Sequence, residues 1–177
     1  MIVPSIWEQD TFLTKLGQDK ESQMWCFQDR GRRDVCLIPE VTGIIQQEWR
    51  NSWSKSWPKP SRLFYVSRCY RYERPQQGRY REFTQIGVEV LGSSDDQIDQ
   101  EVQLLLKQCL RTVGVQFEFY DSVTRGLSYY VNKGFEAECA CLGAQKQVAG
   151  GGRYAEGVGW AIGVERVLLA LEKQTPI

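Results

Sequence analysis

Histidine is absent from all 177 residues of the sequence. This absence excludes a Ser-His or Cys-His nucleophilic mechanism, because both need an imidazole to take the proton of the nucleophile. A zinc site is not predicted either, since C-A-C at 139–141 has neither a second cysteine pair nor a histidine to complete the ligand set. Any catalysis must rest on arginine side chains, carboxylates and a bound metal ion.

The sequence also lacks an excess of either charge, with 22 Lys and Arg against 22 Asp and Glu. A global basic field typical of nucleic-acid-binding proteins is excluded, so RNA contact would need a local patch such as the tryptophan-containing stretch 50–62. No apolar run approaches a membrane span, and M-I-V-P-S at the start has no signal-peptide pattern. Six scattered cysteines without a secretion signal predict reduced thiols and a cytoplasmic protein.

The apolar content, 42% of residues, is sufficient for one compact domain over 1–177. We predict a short strand within 1–8 that ends near Pro4, a hairpin over 24–29 and 34–38, and a helix that opens at P-E-V-T, 39–42. A packing helix is predicted to start within G-S-S-D-D, 92–96, and to repeat apolar residues at helical spacing from Ile98 to Val113. An alternating strand over 115–121 follows. In the last segment, 158–172, the residues predicted to face the core are Ile162, Val167, Leu168 and Leu171.

The most informative stretch is 68–92, which predicts two strands joined by a charged turn with Pro75 and Gly78. Because side chains alternate along a strand, one face of the second strand is polar and the other faces the core. The polar face is predicted to hold Arg79, Arg81, Phe83, Gln85, Gly87 and Glu89. The core face is predicted to hold Tyr80, Thr84, Ile86, Val88 and Val90.

This polar face indicates a nucleotide site, with Arg71 and Glu73 sharing a face of the first strand. Arginine and glutamate suit bidentate hydrogen bonding to phosphates and purine edges, and a phenyl ring beside them can stack on a base. An exposed hairpin covered by salt bridges is the alternative that the pattern leaves open.

The stretch R-x-E-R-P-x-x-G-R-Y-R-x-F-x-Q-x-G-x-E, beginning at Arg71, resembles motif 2 of class II aminoacyl-tRNA synthetases in its histidyl form. R-G-L-S-Y-Y at 125–130 and G-A-Q-K-Q-V-A-G-G-G-R-Y-A at 143–155 are similar to two histidyl-specific signatures, and 158–172 resembles motif 3. The resemblance implies an α+β fold, a class II antiparallel sheet of about six strands flanked by helices. It also implies that the chain forms histidyl-adenylate from histidine and ATP, with Mg²⁺ expected.

The resemblance assigns roles by matching position. The implied ATP-binding residues are Arg71, Glu73, Arg79, Phe83 and Arg166. The implied histidine-binding residues are Glu40, Thr42, Gln85, Glu89, Arg125, Tyr130 and Tyr154. The implied catalytic residues, which stabilise the reacting centre, are Arg71, Arg125 and Arg166. From the pattern alone, Glu40 and Thr42 are also typical of a capped helix N-terminus.

The sequence departs from the family at three positions, where Ile38 replaces an arginine and Ser128 and Ala155 replace aspartates. It shows no counterpart of the motif 1 helix, the helical insertion or the anticodon-binding domain. Transfer of histidine to tRNA, transfer to another acceptor, homodimer formation and a trimmed core therefore all stay open.

The competing hypothesis is a non-catalytic histidine-binding paralogue, like the regulatory subunit of ATP phosphoribosyltransferase. Such paralogues tend to lose the arginine set, and Arg71, Arg79, Arg125 and Arg166 are all present here. The arginines therefore favour an amino-acid-activating ligase over a regulatory subunit.

Overall fold

The computed structural model describes residues 1–16, 18–124, 129–131 and 134–174. Its nine strands form two antiparallel sheets. The three-stranded sheet has the order β1-β3-β2, with β1 Ile6–Glu8, β2 Trp25–Gln28 and β3 Asp34–Leu37. The six-stranded sheet has the order β4-β5-β9-β8-β7-β6, with β4 Ser61–Tyr70, β5 Glu82–Leu91, β6 Glu118–Val123, β7 Gly134–Glu138, β8 Gln147–Tyr154 and β9 Gly157–Gly163.

Four α-helices flank these sheets: α1 Asp10–Leu16, α2 Thr42–Asn51, α3 Asp96–Thr112 and α4 Val164–Gln174. Short 3-10 segments lie at Gln18–Gln23, Trp53–Lys55 and Ala140–Gln145. Helix α3 begins where the sequence predicts, because the Asp95 carboxylate accepts a hydrogen bond from the Gln97 amide at 2.9 Å and caps the first turn. The predicted α+β fold with a six-stranded antiparallel sheet is confirmed.

Helices α3 and α4 cover one face of the six-stranded sheet and form the larger hydrophobic core. Leu106 and Leu110 of α3 are fully buried there, and the Trp160 indole of β9 donates to the Val102 carbonyl at 2.9 Å. A second core joins α1, α2 and the three-stranded sheet to the other face, around Phe12, Ile45 and Tyr65. The six-stranded sheet therefore lies between two cores.

Several predicted details are wrong. The first strand follows Pro4 instead of ending there. Residues 71–81 belong to neither strand of the predicted hairpin, since β4 ends at Tyr70 and β5 begins at Glu82. The alternation of faces therefore holds from Phe83 onward but cannot place Arg71, Glu73, Arg79 or Arg81.

Three predicted core residues are exposed. Tyr80 is 45% exposed because it lies between β4 and β5, where no strand alternation turns it toward a core. Leu168 is 59% exposed because α4 turns that side away from the sheet, and Ile86 is 37% exposed on β5 next to the edge strand β4. Among the described residues, no helix is long and apolar enough to cross a membrane.

Candidate active site

A cavity of about 430 Å³ opens on the sheet face opposite α3 and α4. Every predicted site residue that the structure describes lines it: Glu40, Thr42, Arg71, Glu73, Arg79, Phe83, Gln85, Glu89, Tyr130, Tyr154 and Arg166. The remaining predicted residue, Arg125, lies outside the described residues, as does Ser128. Segments distant in sequence thus meet in one space, although the assigned roles stay predictions.

Glycines make room for the cavity floor. Gly159 of β9 is paired with Glu89 of β5, and a Cβ at Gly159 would overlap the Glu89 carboxylate. Gly87 is paired with Tyr65 of β4, and a Cβ there would overlap the Tyr65 ring. The glycines in these strands are therefore required by close packing of two large side chains over the backbone.

Glu89 lies at the floor of the cavity and is 1% exposed. Its carboxylate accepts hydrogen bonds from the Thr42 hydroxyl and the Tyr154 hydroxyl, both at 2.7 Å. Within the described part of the chain, no lysine or arginine forms an ion pair with it. Burial raises the pKa of Glu89 to about 8; the two hydrogen bonds oppose this shift and the charge of Glu40 adds to it. Glu89 is thus a buried acid that a ligand cation or N–H group can satisfy.

The start of α2 supplies a second carboxylate. Glu40 is 5% exposed, and its side chain accepts a hydrogen bond from the Gly43 amide at 2.7 Å, so it caps the helix as the pattern indicates. Thr42 does not cap the helix, because its hydroxyl points to Glu89. Both side chains nevertheless line the cavity, so the capping role of Glu40 and a ligand-binding role are compatible.

Aromatic rings close the side of the cavity above Glu89. The rings of Tyr129 and Tyr130 lie 4.7 Å apart, and Tyr129 lies edge-on to Tyr154 at 6.1 Å. Burial, with the Glu89 charge nearby, raises the pKa of Tyr154 well above its usual value, so its hydroxyl stays protonated and can donate. This end of the cavity suits a small polar ring that bonds through N–H groups.

Among the described residues, three arginines line the cavity, and two of them belong to residues 71–81, which we call the arginine loop. The Arg71 guanidinium lies 5.0 Å from the Phe83 ring centroid and donates to the Pro39 carbonyl at 3.1 Å. Arg79 forms an ion pair with Glu73. These contacts place one cation beside a phenyl ring and another beside a carboxylate.

The third arginine, Arg166, lies in the first turn of α4, and its half-buried side chain lines the cavity. It donates to the Gly78 carbonyl at 2.9 Å and to the Gln147 carbonyl at 2.7 Å, which ties the arginine loop to β8. Burial, together with the charges of Arg79 and Arg71, lowers the pKa of Arg166, although a guanidinium stays charged at neutral pH. Mutual repulsion among the three cations makes this end of the cavity favourable for an anion.

Sequence reasoning missed several lining residues. Tyr65 was missed because β4 begins at Ser61, earlier than the predicted strand, and alternation from that start would have placed Tyr65 on the cavity face. Glu136 and Glu138 share the cavity side of β7, a strand that was not predicted. Glu165 also lines the cavity while it accepts hydrogen bonds from the Thr84 amide at 2.8 and 2.9 Å.

Comparison with known proteins gives consistent matches. The family model described as histidyl-tRNA synthetase matches residues 1–121. The histidine–tRNA ligase of Methanosarcina acetivorans is 41% identical over 116 residues, which cover 66% of this chain and 28% of that protein. The histidine–tRNA ligase of Thermus thermophilus is 26% identical over 281 residues, which cover 98% of this chain and 67% of that protein. The chain thus spans about a quarter of the length of the first of these relatives.

Solved structures agree with the fold. Apo histidyl-tRNA synthetase of S. aureus superposes with a TM-score of 0.79 at 25% identity, covering 98% of this chain and 60% of that one. A Bacillus halodurans protein described as an ATP phosphoribosyltransferase regulatory subunit/histidyl-tRNA synthetase superposes with a TM-score of 0.77 at 17% identity. The match covers 99% of this chain and 74% of that one. At that identity the second match concerns the fold alone.

Proposed function

The chain belongs to the histidyl-tRNA synthetase family, and we propose that its cavity binds histidine and ATP and joins them into histidyl-adenylate. One observation supports this most strongly: a single cavity holds a buried carboxylate with two hydroxyl donors at one end and three arginines at the other. The first arrangement suits an imidazole, and the second suits a polyphosphate.

Histidine would lie over the floor of the cavity. Its imidazole N–H would donate to Glu89, whose carboxylate Thr42 and Tyr154 hold in place, and Tyr130 would contact the ring. The ammonium group would bind near Glu40 and Gln85, the latter fixed by a hydrogen bond from the Cys69 thiol at 3.3 Å. A site with buried polar groups discriminates strongly against side chains that leave those groups unsatisfied.

ATP would lie across Phe83 and the arginine loop. The adenine would stack on Phe83, and Glu73 would accept a hydrogen bond from its amino group. Arg79 and Arg166 would bind the β- and γ-phosphates, and Arg71 would lie beside the α-phosphate. Arg125 is also expected beside the α-phosphate and the histidine carboxylate, on the resemblance of its motif.

In the reaction, a carboxylate oxygen of histidine attacks the α-phosphorus, the bond to the bridging oxygen breaks, and pyrophosphate leaves. The arginines would stabilise the charge that develops on the phosphate oxygens, while the cavity aligns the two substrates. Because these donors are fixed before the substrates arrive, little reorganisation is needed during the reaction.

Magnesium, when bound, would neutralise part of the phosphate charge. Mg²⁺ commonly uses one or two carboxylates together with phosphate oxygens and waters. Within the described residues, no group of three or more acidic, cysteine or histidine side chains that could hold a metal ion is present. Glu136 and Glu138 are the carboxylates on β7 that line the cavity, but Glu138 forms an ion pair with Lys146 at 2.7 Å, so Glu136 is better suited to this role.

We propose that residues 1–177 form one catalytic core domain and that tRNA or another molecule accepts the activated histidine. The alternative is a regulatory protein that binds histidine in the same pocket and does not form histidyl-adenylate.

Calorimetric titration of histidine tests the pocket. Wild-type protein should bind one histidine per chain, and Gly159→Ala should abolish binding because the new Cβ displaces the Glu89 carboxylate. Gly31→Ala, in the turn between β2 and β3 and outside the cavity, is the matched control and should bind normally. Undiminished binding by a folded Gly159→Ala variant would contradict the placement of histidine over Glu89.

A further inference from the structure

Cys139 and Cys141 bring two thiols together at the end of β7, outside the residues used above. Their sulfur atoms lie 2.9 Å apart, within hydrogen-bond distance. Cys139 is 1% exposed, whereas Cys141 is partly exposed. A reactive pair needs one accessible sulfur and a second sulfur within reach of it, and this pair has both.

Both sulfurs also contact α4, the helix that carries Arg166. The Gln174 side-chain amide donates to the Cys139 sulfur at 2.7 Å, and the Cys141 thiol lies 3.8 Å from the Ala170 carbonyl. The pair thus lies between the end of β7 and the last two turns of α4. A change at either sulfur acts directly on that packing.

Residues 139–147 form a closed loop, which we call the thiol loop. It begins at the two cysteines and ends at the cavity. The Cys139 amide donates to the Lys146 carbonyl at 2.7 Å and closes the base of the loop. Arg166 is held by the far end of this loop, since it donates to the Gln147 carbonyl at 2.7 Å and to the Gln145 side chain at 3.3 Å. The thiol pair and a cavity arginine are therefore connected through one short segment.

We propose that Cys139 and Cys141 are a reversible modification site, which a small-molecule disulfide oxidises to an intramolecular disulfide that displaces the thiol loop and weakens ATP binding. The second part rests on the proposed function. In the first step the Cys141 thiolate attacks one sulfur of the small disulfide, which forms a mixed disulfide and releases one thiolate. In the second step the Cys139 thiolate attacks the Cys141 sulfur and expels the other thiolate, so the dithiol loses two electrons and the reagent becomes two thiols.

The order of these steps follows from burial. Desolvation, with the hydrogen bond to Cys141, raises the pKa of Cys139 to about 11, so Cys139 is a poor first nucleophile at neutral pH. Once the mixed disulfide has formed, the adjacent Cys139 sulfur needs no diffusion to reach it.

Oxidation has a defined structural effect. A disulfide carries no S–H group, so the thiol hydrogen bond between the two cysteines and the Cys141 contact with Ala170 are both lost. The sulfurs must also approach from 2.9 Å to the bonding distance of about 2.05 Å. The thiol loop adjusts at its N-terminal end, and its contacts with Arg166 at the other end shift with it.

Glutathione disulfide is the probe, and thiol mapping is the first readout. Trypsin releases residues 134–146 as one peptide that contains Cys139 and Cys141 and no other cysteine. After treatment of the intact protein, this peptide should lose two hydrogens in mass and resist alkylation, and dithiothreitol should reverse both changes. If both thiols remain alkylatable while the exposed Cys26 has become glutathionylated, the modification site is wrong.

ATP affinity is the second readout. Oxidised wild-type protein should bind ATP roughly tenfold more weakly, the change expected from loss of about one charge-assisted contact. The Cys139→Ser/Cys141→Ser double variant should show no oxidant response, whereas Cys26→Ser should respond as wild type does. An oxidised protein with unchanged ATP affinity would overturn the coupling to Arg166. If the reduced protein binds no ATP, the proposed function fails and the coupling with it, while the thiol mapping still decides the modification site.

Discussion

Glu89 determines what the floor of the cavity can recognise. It is buried and accepts two hydroxyl hydrogen bonds. A ligand that brings no N–H group to it should bind less tightly, because the buried carboxyl group then loses its contact with water without gaining a new hydrogen bond. At neutral pH the carboxyl group of the free protein is largely protonated, because its pKa of about 8 lies above the solution pH. A ligand with an imidazole can exchange protons with such a group, which an aliphatic side chain cannot do.

The raised pKa of Glu89 makes the stability of the free protein depend on pH. Between the ordinary glutamate value of 4.5 and about 8, the unfolded chain loses the proton while the folded protein keeps it. The free energy of unfolding should therefore fall as pH rises through this range, by up to about 1.4 kcal/mol per pH unit, and level off above it.

Glu89→Gln removes the contribution of residue 89 to the pH dependence of the free energy of unfolding, because the amide does not titrate. Urea unfolding at pH values from about 5 to about 8 should show the variant gaining stability relative to wild type as pH rises. A constant difference between the two proteins across this range would contradict a buried, protonated Glu89.

Arg166 is the residue whose loss should affect ATP most. Arg166→Ala should weaken ATP binding by roughly tenfold or more, since hydrogen bonds to charged groups contribute about 1.5–3 kcal/mol. Arg68→Ala is the matched control, because Arg68 pairs with Glu82 in an exposed contact at 2.7 Å and does not line the cavity. Calorimetric titration with ATP checks both, and equal affinity in the two variants would exclude Arg166 from the phosphate site.

At the scale of elements, the arginine loop lies outside the named strands, so contacts with neighbouring segments must fix its position. The Tyr72 amide donates to the Gln23 carbonyl at 2.8 Å, and the Arg71 amide donates to the Arg81 carbonyl at 2.9 Å. The Arg81 guanidinium lies over the rings of Tyr72 and Trp25, at 4.8 and 5.8 Å, and donates to the Glu73 carbonyl at 3.1 Å. The three-stranded sheet thus supports the loop through β2.

Arg81→Ala should release this support although Arg81 does not line the cavity. A cation–π contact contributes about 0.5–2 kcal/mol, so the KM for ATP should rise roughly two- to thirtyfold with little change in kcat. Arg81→Lys keeps a cation over the rings and should recover part of the loss. Steady-state kinetics of pyrophosphate exchange provides both constants, and an unchanged KM for ATP in Arg81→Ala would show that the loop is held without Arg81.

The elements also show what the sequence could predict. Alternation correctly placed Phe83, Gln85 and Glu89 on one face of β5, because a regular strand has only two faces. It could not place Arg71 or Arg79, since a loop has no such period and its shape depends on contacts with Trp25 and Arg166. Leu168 was assigned to the core from helical spacing alone, which does not give the width of the buried stripe.

At the scale of the molecule, the cavity lies where the second core meets the central sheet. Thr42 and Tyr154 reach Glu89 from positions 47 and 65 residues away in the chain. Composition and periodicity do not predict such long-range partners; the family resemblance supplied them. Local patterns could therefore predict individual strands and helices, whereas the six-stranded sheet and the grouping of the site residues depended on the resemblance.

Histidine-dependent exchange between ATP and pyrophosphate tests the central claim most directly, with the other amino acids as controls. A working adenylation core should catalyse exchange with histidine alone, and Arg166→Ala should reduce it strongly while Arg68→Ala leaves it unchanged. Measurable histidine binding without exchange would contradict the proposed enzyme and favour a regulatory histidine-binding subunit in its place.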